Sequence, residues 1–274
     1  MKYIRQTIEG TDGSRAEFDG YIIDNSKEID ENRVRPAVLV IPGGGYEMTS
    51  DREAEPIALK MLGAGFHAFV LRYSCSPSVY PTALLEAAQA MAIIREHAAE
   101  WHVDPNAVII LGFSAGGHLA ANLATDAGDE TERAHGYDPD AVRPNGLALS
   151  YAVLTSGEFA HRSSIEHLLG DKKDDPAMLE EVSCEQHVSA KTPPTFLWHT
   201  ATDGLVPVQN SMLLANACVN AGVSVEMHLY PQGGHGLSLG TLETAWGGDL
   251  ANVEPCIQTW PDLLMDWITR NFAK

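Results

Sequence analysis

The chain has 274 residues, 45% of them hydrophobic, with 24 Gly and 15 Pro, the composition of a turn-rich globular protein. Its 18 Lys and Arg against 37 Asp and Glu give a formal charge of −19. So acidic a chain repels nucleic-acid phosphates and anionic membrane surfaces, which removes both as expected partners. The first residues, Met1-Lys2-Tyr3-Ile4-Arg5-Gln6-Thr7, lack the apolar core of a signal peptide. No uninterrupted apolar run approaches the length of a bilayer span, so the expected location is the cytoplasm. The four cysteines (Cys75, Cys184, Cys218 and Cys256) are scattered without C-x-x-C pairing, predicting neither a zinc site nor a disulfide scaffold.

In chain order, residues 3–23 alternate apolar and polar around Thr11-Asp12-Gly13-Ser14 and read as two antiparallel edge strands. Ala37-Val38-Leu39-Val40-Ile41 is a continuous apolar run, the pattern of a buried central strand, and it ends in Pro42-Gly43-Gly44-Gly45-Tyr46. Residues 54–62 have helical spacing and stop at Gly63 and Gly65. Residues 66–71 form the next strand and 81–101 a long helix, with Pro81 in its first turn and a stripe of Leu84, Leu85, Ala88, Met91 and Ile94. The strand Ala107-Val108-Ile109-Ile110-Leu111 runs into Gly112-Phe113-Ser114-Ala115-Gly116 and a helix-like run. Residues 125–145 read as a connecting loop and 146–153 as a strand. The strand–helix rhythm then breaks over 155–194, as an inserted cap breaks it. It resumes with a strand at 195–199, a helix at 208–221, a strand at 223–230 and a last helix at 263–272. The alternation predicts an α/β fold: a mostly parallel sheet covered by helices on both faces, in one domain over 1–274 with a small cap at 155–194.

The chemistry centres on Gly112-Phe113-Ser114-Ala115-Gly116. A serine on a sharp strand-to-helix turn presents its hydroxyl, and the amide of Ala115 sits where a helix N-terminus favours negative charge. The simpler reading is a glycine-rich turn with a serine cap. A neutral serine hydroxyl needs a base, usually histidine, and the imidazole needs a carboxylate to fix its tautomer. Asp203, in Thr202-Asp203-Gly204 beyond a strand end, supplies the carboxylate or serves only as a turn-forming residue. His235, in Gly233-Gly234-His235-Gly236, alone among eleven histidines has a glycine-rich strand-end setting. Gly43-Gly44-Gly45 offers main-chain N–H groups to a substrate oxygen. It matches neither the phosphate-binding G-x-x-x-x-G-K-[ST] nor the dinucleotide G-x-G-x-x-G pattern, so no cofactor is expected. His118 and His199 read as structural residues. His161, His167 and His187 fit no metal spacing, and no metal is expected. Tyr46 and Tyr80 are candidates for lining the pocket or for lid contacts. Trp246 and Trp260 cover the site or anchor the last helix.

Taken together, these segments resemble an α/β-hydrolase, and more narrowly the acetyl-esterase/lipase branch with acetyl xylan esterase-like and feruloyl esterase-like members. The resemblance also rests on Val103-Asp104-Pro105-Asn106 and on Pro193-Pro194-Thr195-Phe196-Leu197-Trp198-His199-Thr200, and it runs from about residue 36 to the C-terminus. It implies Ser114 as nucleophile, His235 as base and Asp203 as orienting acid, with amides of Gly44, Gly45 and Ala115 as the oxyanion hole. Many relatives open the glycine loop with His; here Pro42 stands there. The implied function is hydrolysis of small acyl esters, acetyl groups on sugars among them. A formamidase or peptidase with the same triad, and a non-catalytic small-molecule binding protein of this fold, are the competing readings. The expected partner is a small ester substrate. The sequence leaves the oligomeric state open, a homodimer included.

Overall fold

The structure is a computed structural model that describes residues 1–272. Its strands are β1 (Lys2–Glu9), β2 (Arg15–Ile22), β3 (Arg35–Ile41), β4 (His67–Arg72), β5 (Val103–Phe113), β6 (Gly146–Ser150), β7 (Thr195–Thr200) and β8 (Val225–Tyr230). They form one sheet in the order β1-β2-β4-β3-β5-β6-β7-β8. β2 runs antiparallel to both β1 and β4, and the remaining pairs are parallel.

The helices are α1 (Glu55–Gly63), α2 (Thr82–Glu96), α3 (Ala98–Trp101), α4 (Ser114–Ala124), α5 (Asp129–Ala134), α6 (Pro139–Val142), α7 (Arg162–Leu169), α8 (Pro176–Glu181), α9 (Gln209–Ala221) and α10 (Trp260–Phe272). All seven residues of β3 are buried because both faces are covered. Ala37, Leu39 and Ile41 pack with residues of α2, α4 and α9, whereas Val38 and Val40 pack with α1 and α10. Successive side chains of a strand point to opposite faces, so a continuous apolar run serves two helical layers at once.

Several boundaries differ from the sequence reading. The helix expected over 81–101 divides at His97 into α2 and α3, with no Gly or Pro to mark the break. β5 begins at Val103, not Ala107, because its first residue pairs with Arg35 across a register shift. The strand expected over 146–153 ends at Ser150, where Tyr151 turns out of the sheet with φ 38°. The expected loop over 125–145 contains α5 and α6, and the Asp138 side chain accepts from the Asp140 amide at the start of α6. Arg143 anchors this segment, donating to the carbonyls of Ala124 and Thr125 and to Asp129 Oδ1 at 2.6 Å. α10 starts at Trp260, three residues before the expected helix. Among the described residues, no helix is long and apolar enough to cross a membrane.

Parallel register places one set of strand ends side by side. Ile41 is level with Gly112, Phe113 with Ser150, Ser150 with Trp198, and Thr200 with Tyr230. The loops after β3, β5, β7 and β8 therefore meet at one rim, where ligands of open α/β sheets bind.

Candidate active site

Ser114 stands at the junction of β5 and α4 with φ 50°, a left-handed conformation uncommon for a non-glycine residue. The tight turn depends on its glycines. A Cβ on Gly116 would lie 2.2 Å from the Pro42 carbonyl oxygen, and one on Gly112 would lie 2.4 Å from that of Gly116. The Ser114 hydroxyl lies 2.8 Å from His235 Nε2, and His235 Nδ1 lies 2.7 Å from Asp203 Oδ2. An ionised carboxylate only accepts, so Nδ1 carries the proton and Nε2 is left to accept from the serine.

Asp203 is held by four donors. Its Oδ1 accepts from the amides of Leu205 and Val206 at 2.9 and 3.0 Å. Its Oδ2 accepts from His235 and, at 3.2 Å, from His199 Nε2. Burial alone would raise the Asp203 pKa, but the hydrogen bonds from His199 and His235 outweigh it and hold the carboxyl well below the usual carboxylate range. His199, expected to bond locally, accepts from Ser211 at 2.8 Å through Nδ1, so its Nε2–H points at Asp203.

The glycine loop divides its amides between bracing and display. Gly43 donates to Glu53 Oε2 at 2.8 Å, whereas among the described residues the amides of Gly44 and Gly45 have no protein acceptor. The Ala115 amide lies in the first turn of α4, where helix amides have no intrahelical partner. Gly44, Gly45, Ser114 and His235 line a cleft of ≈ 250 Å³ that also touches Met48, Leu205 and Trp246. Its far wall comes from the segment between β6 and β7, through His161, Ser163 and His167.

The BD-FAE family model matches residues 24–218, well over half of the chain. The chain belongs to the BD-FAE family. Endo-1,4-beta-xylanase B of Butyrivibrio fibrisolvens is 36% identical over 226 residues, which is 80% of this chain and 35% of that protein. Acetylxylan esterase of Xylanibacter ruminicola is 33% identical over 218 residues, 78% of this chain and 43% of that protein. The chain thus spans between a third and a half of these curated relatives. The crystal structure of an acetyl ester-xyloside bifunctional hydrolase from Caldicellulosiruptor lactoaceticus superposes with a TM-score of 0.81 at 37% identity. That superposition covers 95% of this chain and 89% of the other. The architecture of this BD-FAE member is therefore that of an acetyl- and feruloyl-esterase-like α/β-hydrolase.

Family membership leaves open how a BD-FAE glycine loop that begins with Pro42 is braced. Glu53, which no sequence pattern singles out, is 2% exposed and does this. Its Oε2 accepts from Gly43, and its Oε1 accepts from the Tyr151 hydroxyl at 2.6 Å. The Tyr151 oxygen in turn accepts from the Ser238 amide at 3.0 Å, and its ring lies against that of His235. One buried carboxylate thus links the glycine loop to the segment carrying His235. From the other side, His167 Nδ1 donates to the Gly45 carbonyl at 2.9 Å.

Two expected pocket residues lie elsewhere in this BD-FAE chain. Tyr46 is buried, and its hydroxyl donates to His118 Nδ1 at 2.8 Å. The Tyr80 hydroxyl bonds Glu181 at 2.8 Å and borders a different hollow. Both are apolar-bodied groups whose hydroxyls find partners beneath the segment after β6, so neither borders the cleft at Ser114. Trp260 is likewise buried, donating to the Ser238 carbonyl at 2.8 Å, whereas Trp246 stands at the cleft mouth.

His118 ties the helix after Ser114 to the segment after β6. It accepts from Tyr46 and donates through Nε2 to the Val182 carbonyl at 2.8 Å. Burial pushes its pKa down to about 4. The unfolded chain then takes up a proton near pH 6.5, before the folded protein does, so acidification from 6.5 to 4 destabilises the fold. At about 1.4 kcal/mol per pKa unit this amounts to roughly 3 kcal/mol. His67, also pushed down to about 4 by burial, acts in the same direction. Glu132, raised to about 7 by burial and by the Asp129 carboxylate, acts oppositely over 4.5–7. The difference between wild type and His118→Gln isolates the histidine. In urea denaturation the wild type should lose roughly 3 kcal/mol relative to the variant between pH 7 and 4. A pH-independent difference would contradict the assignment.

Proposed function

We propose that this chain is a serine carboxylesterase acting on small acyl esters, with acetyl groups on sugars or xylo-oligosaccharides as its substrates. The observation that carries this reading is the Ser114–His235 contact of 2.8 Å beside a glycine loop with two amides that have no protein acceptor among the described residues. Ser114 Oγ attacks the ester carbonyl as its proton passes to His235 Nε2. Asp203 stabilises the resulting imidazolium. Amides of Gly44, Gly45 and Ala115 take the charge that forms on the carbonyl oxygen. The C–O bond breaks, the leaving alkoxide takes the proton from His235, and the acyl group stays on Ser114. Water, deprotonated by the same histidine, then attacks the acyl carbon, the bond to Ser114 Oγ breaks as that oxygen takes the proton back from His235, and the acid is released. Residues 155–194 serve as a cap over a single catalytic domain. The curated acetylxylan esterase and the acetyl ester-xyloside hydrolase structure support acetylated xylosides as the sugar substrates.

The cleft is small beside the 300–1,000 Å³ of ordinary ligand pockets. A series of p-nitrophenyl esters tests the acyl preference. We expect kcat/KM to be highest for acetate and at least about tenfold lower for octanoate, since a few methylenes without room cost more than 1.4 kcal/mol. Release of acetate from acetylated xylo-oligosaccharides tests the sugar. A preference for octanoate, or no acetate released, would contradict the substrate class.

A further inference from the structure

Of the five tryptophans, Trp101, Trp198, Trp260 and Trp267 are buried, whereas Trp246 is 66% exposed. Its ring is nevertheless held in place. The Arg52 guanidinium lies 5.2 Å from the indole centroid. Arg52 is itself fixed, its Nη1 donating to the Gly236 carbonyl at 2.8 Å and to the Thr244 carbonyl at 3.1 Å. Asn252 Nδ2 donates to the Trp246 carbonyl at 3.0 Å. The cation covers one face of the indole, and the exposure leaves the other to solvent.

Trp246, together with Arg52, His235 and Gly236, lines two adjoining hollows. One is the cleft that contains Ser114 and the glycine loop. The second, again ≈ 250 Å³, is lined by Arg52, His235, Gly236, Leu237, Trp246 and Asn252, and it does not include Ser114. The reaction proposed above assigns the two sides. The carbonyl oxygen belongs with the glycine amides, and the alcohol oxygen must lie within reach of the proton on His235. The alcohol part of the ester therefore extends away from the glycine loop, past His235, which lines both hollows, toward the second, which lacks the glycine loop and Ser114.

We propose that this second hollow is the alcohol subsite and that it takes a pyranoside, with Trp246 as the platform under the sugar ring. A pyranoside has a C–H face that suits a bare indole and hydroxyls that need hydrogen bonds at its edge. Trp246, Arg52 and Asn252 all line the hollow. Among the described residues Arg52 Nη2 donates to no protein acceptor, and Asn252 Oδ1 accepts from no protein donor. A simple alkyl alcohol would use neither group. The proposal rests on the esterase reading for which ester oxygen faces His235, but not for whether a glycoside binds.

Two measurements test it. The first is the ratio of kcat/KM for an acetylated methyl xyloside to that for ethyl acetate. Trp246→Ala should lower this ratio about tenfold, the worth of one ring face of apolar burial, and Trp246→Phe should restore most of it. An unchanged ratio would overturn the subsite. The second needs no turnover: methyl β-xyloside is titrated into Ser114→Ala, with and without Trp246→Ala, by saturation-transfer NMR. Binding that disappears with the indole supports the subsite. Equal binding to both proteins, or to neither, overturns it. Hydrolysis of neither ester by wild type would refute the esterase reading and leave the titration to decide the subsite. Leu242 and Leu250 nearby are also exposed. A change of oligomeric state in Trp246→Ala by light scattering would make the ring an interface residue and would also overturn the proposal.

Discussion

On the proposed mechanism, Ser114→Ala should lower kcat for p-nitrophenyl acetate on the order of 10⁶-fold, the scale on which loss of a serine nucleophile is felt when its base and oxyanion donors remain. The substitution removes one oxygen from a residue 7% exposed, leaving its backbone carbonyl bonded to the Val153 amide at 3.1 Å. The far-ultraviolet circular dichroism should therefore match wild type. Substrate binding should survive, so the loss belongs to kcat and not KM. A variant that kept more than about a hundredth of the activity would remove Ser114 as nucleophile, because the remaining groups supply no other covalent route.

Asp203→Asn should lower kcat by about 10⁴-fold, and the local geometry gives the reason. The amides of Leu205 and Val206 both donate to Oδ1, which keeps the side-chain oxygen of asparagine on that side. The new NH₂ then occupies the place of Oδ2, where His235 Nδ1 and His199 Nε2 now point. A donor facing His235 Nδ1 forces the proton to Nε2. In that tautomer the imidazole has no lone pair for the Ser114 hydroxyl. The steady-state rate at neutral pH reads this directly. A loss under tenfold would show that Asp203 does not set the histidine tautomer, and it would leave His199 as the carboxylate's chief partner.

The fold was legible because its signals were local. The run from Ala37 to Ile41 has no polar face, and only a strand covered on both sides uses such a run. Gly112-Phe113-Ser114-Ala115-Gly116 located the turn because a Cβ on Gly116 would lie 2.2 Å from the Pro42 carbonyl oxygen, which leaves no room for a side chain there. His235 stood out for its flanking glycines, not for its chemistry. What stayed hidden depended on contacts between distant segments. Glu53 lies in the charged run Ser50-Asp51-Arg52-Glu53, which reads as a solvated helix start. Only the fold sets that carboxylate under Gly43 and against Tyr151, 98 residues away. Arg52 is likewise unremarkable in sequence, and its partners at Gly236 and Thr244 lie 184 and 192 residues on. Tyr46 misled for the opposite reason. It follows the glycine loop directly, yet its φ of 59° turns it inward to His118.

Glu53 also shows how the loop works without a histidine at its start. Gly43 is committed to the brace, so among the described residues the next two amides are free of protein acceptors. That division follows from one buried acceptor placed against one N–H, since a buried carboxylate oxygen left unpaired is costly.

The central claim is that His235, oriented by Asp203, makes the Ser114 hydroxyl nucleophilic. The most direct measurement is intact-protein and peptide mass spectrometry after exposure to a fluorophosphonate. The account predicts a single phosphonyl adduct on Ser114 in wild type, a labelling rate lower by at least about a thousandfold in His235→Ala, and none in Ser114→Ala. Labelling of another residue, or equally fast labelling of Ser114 without His235, would contradict it.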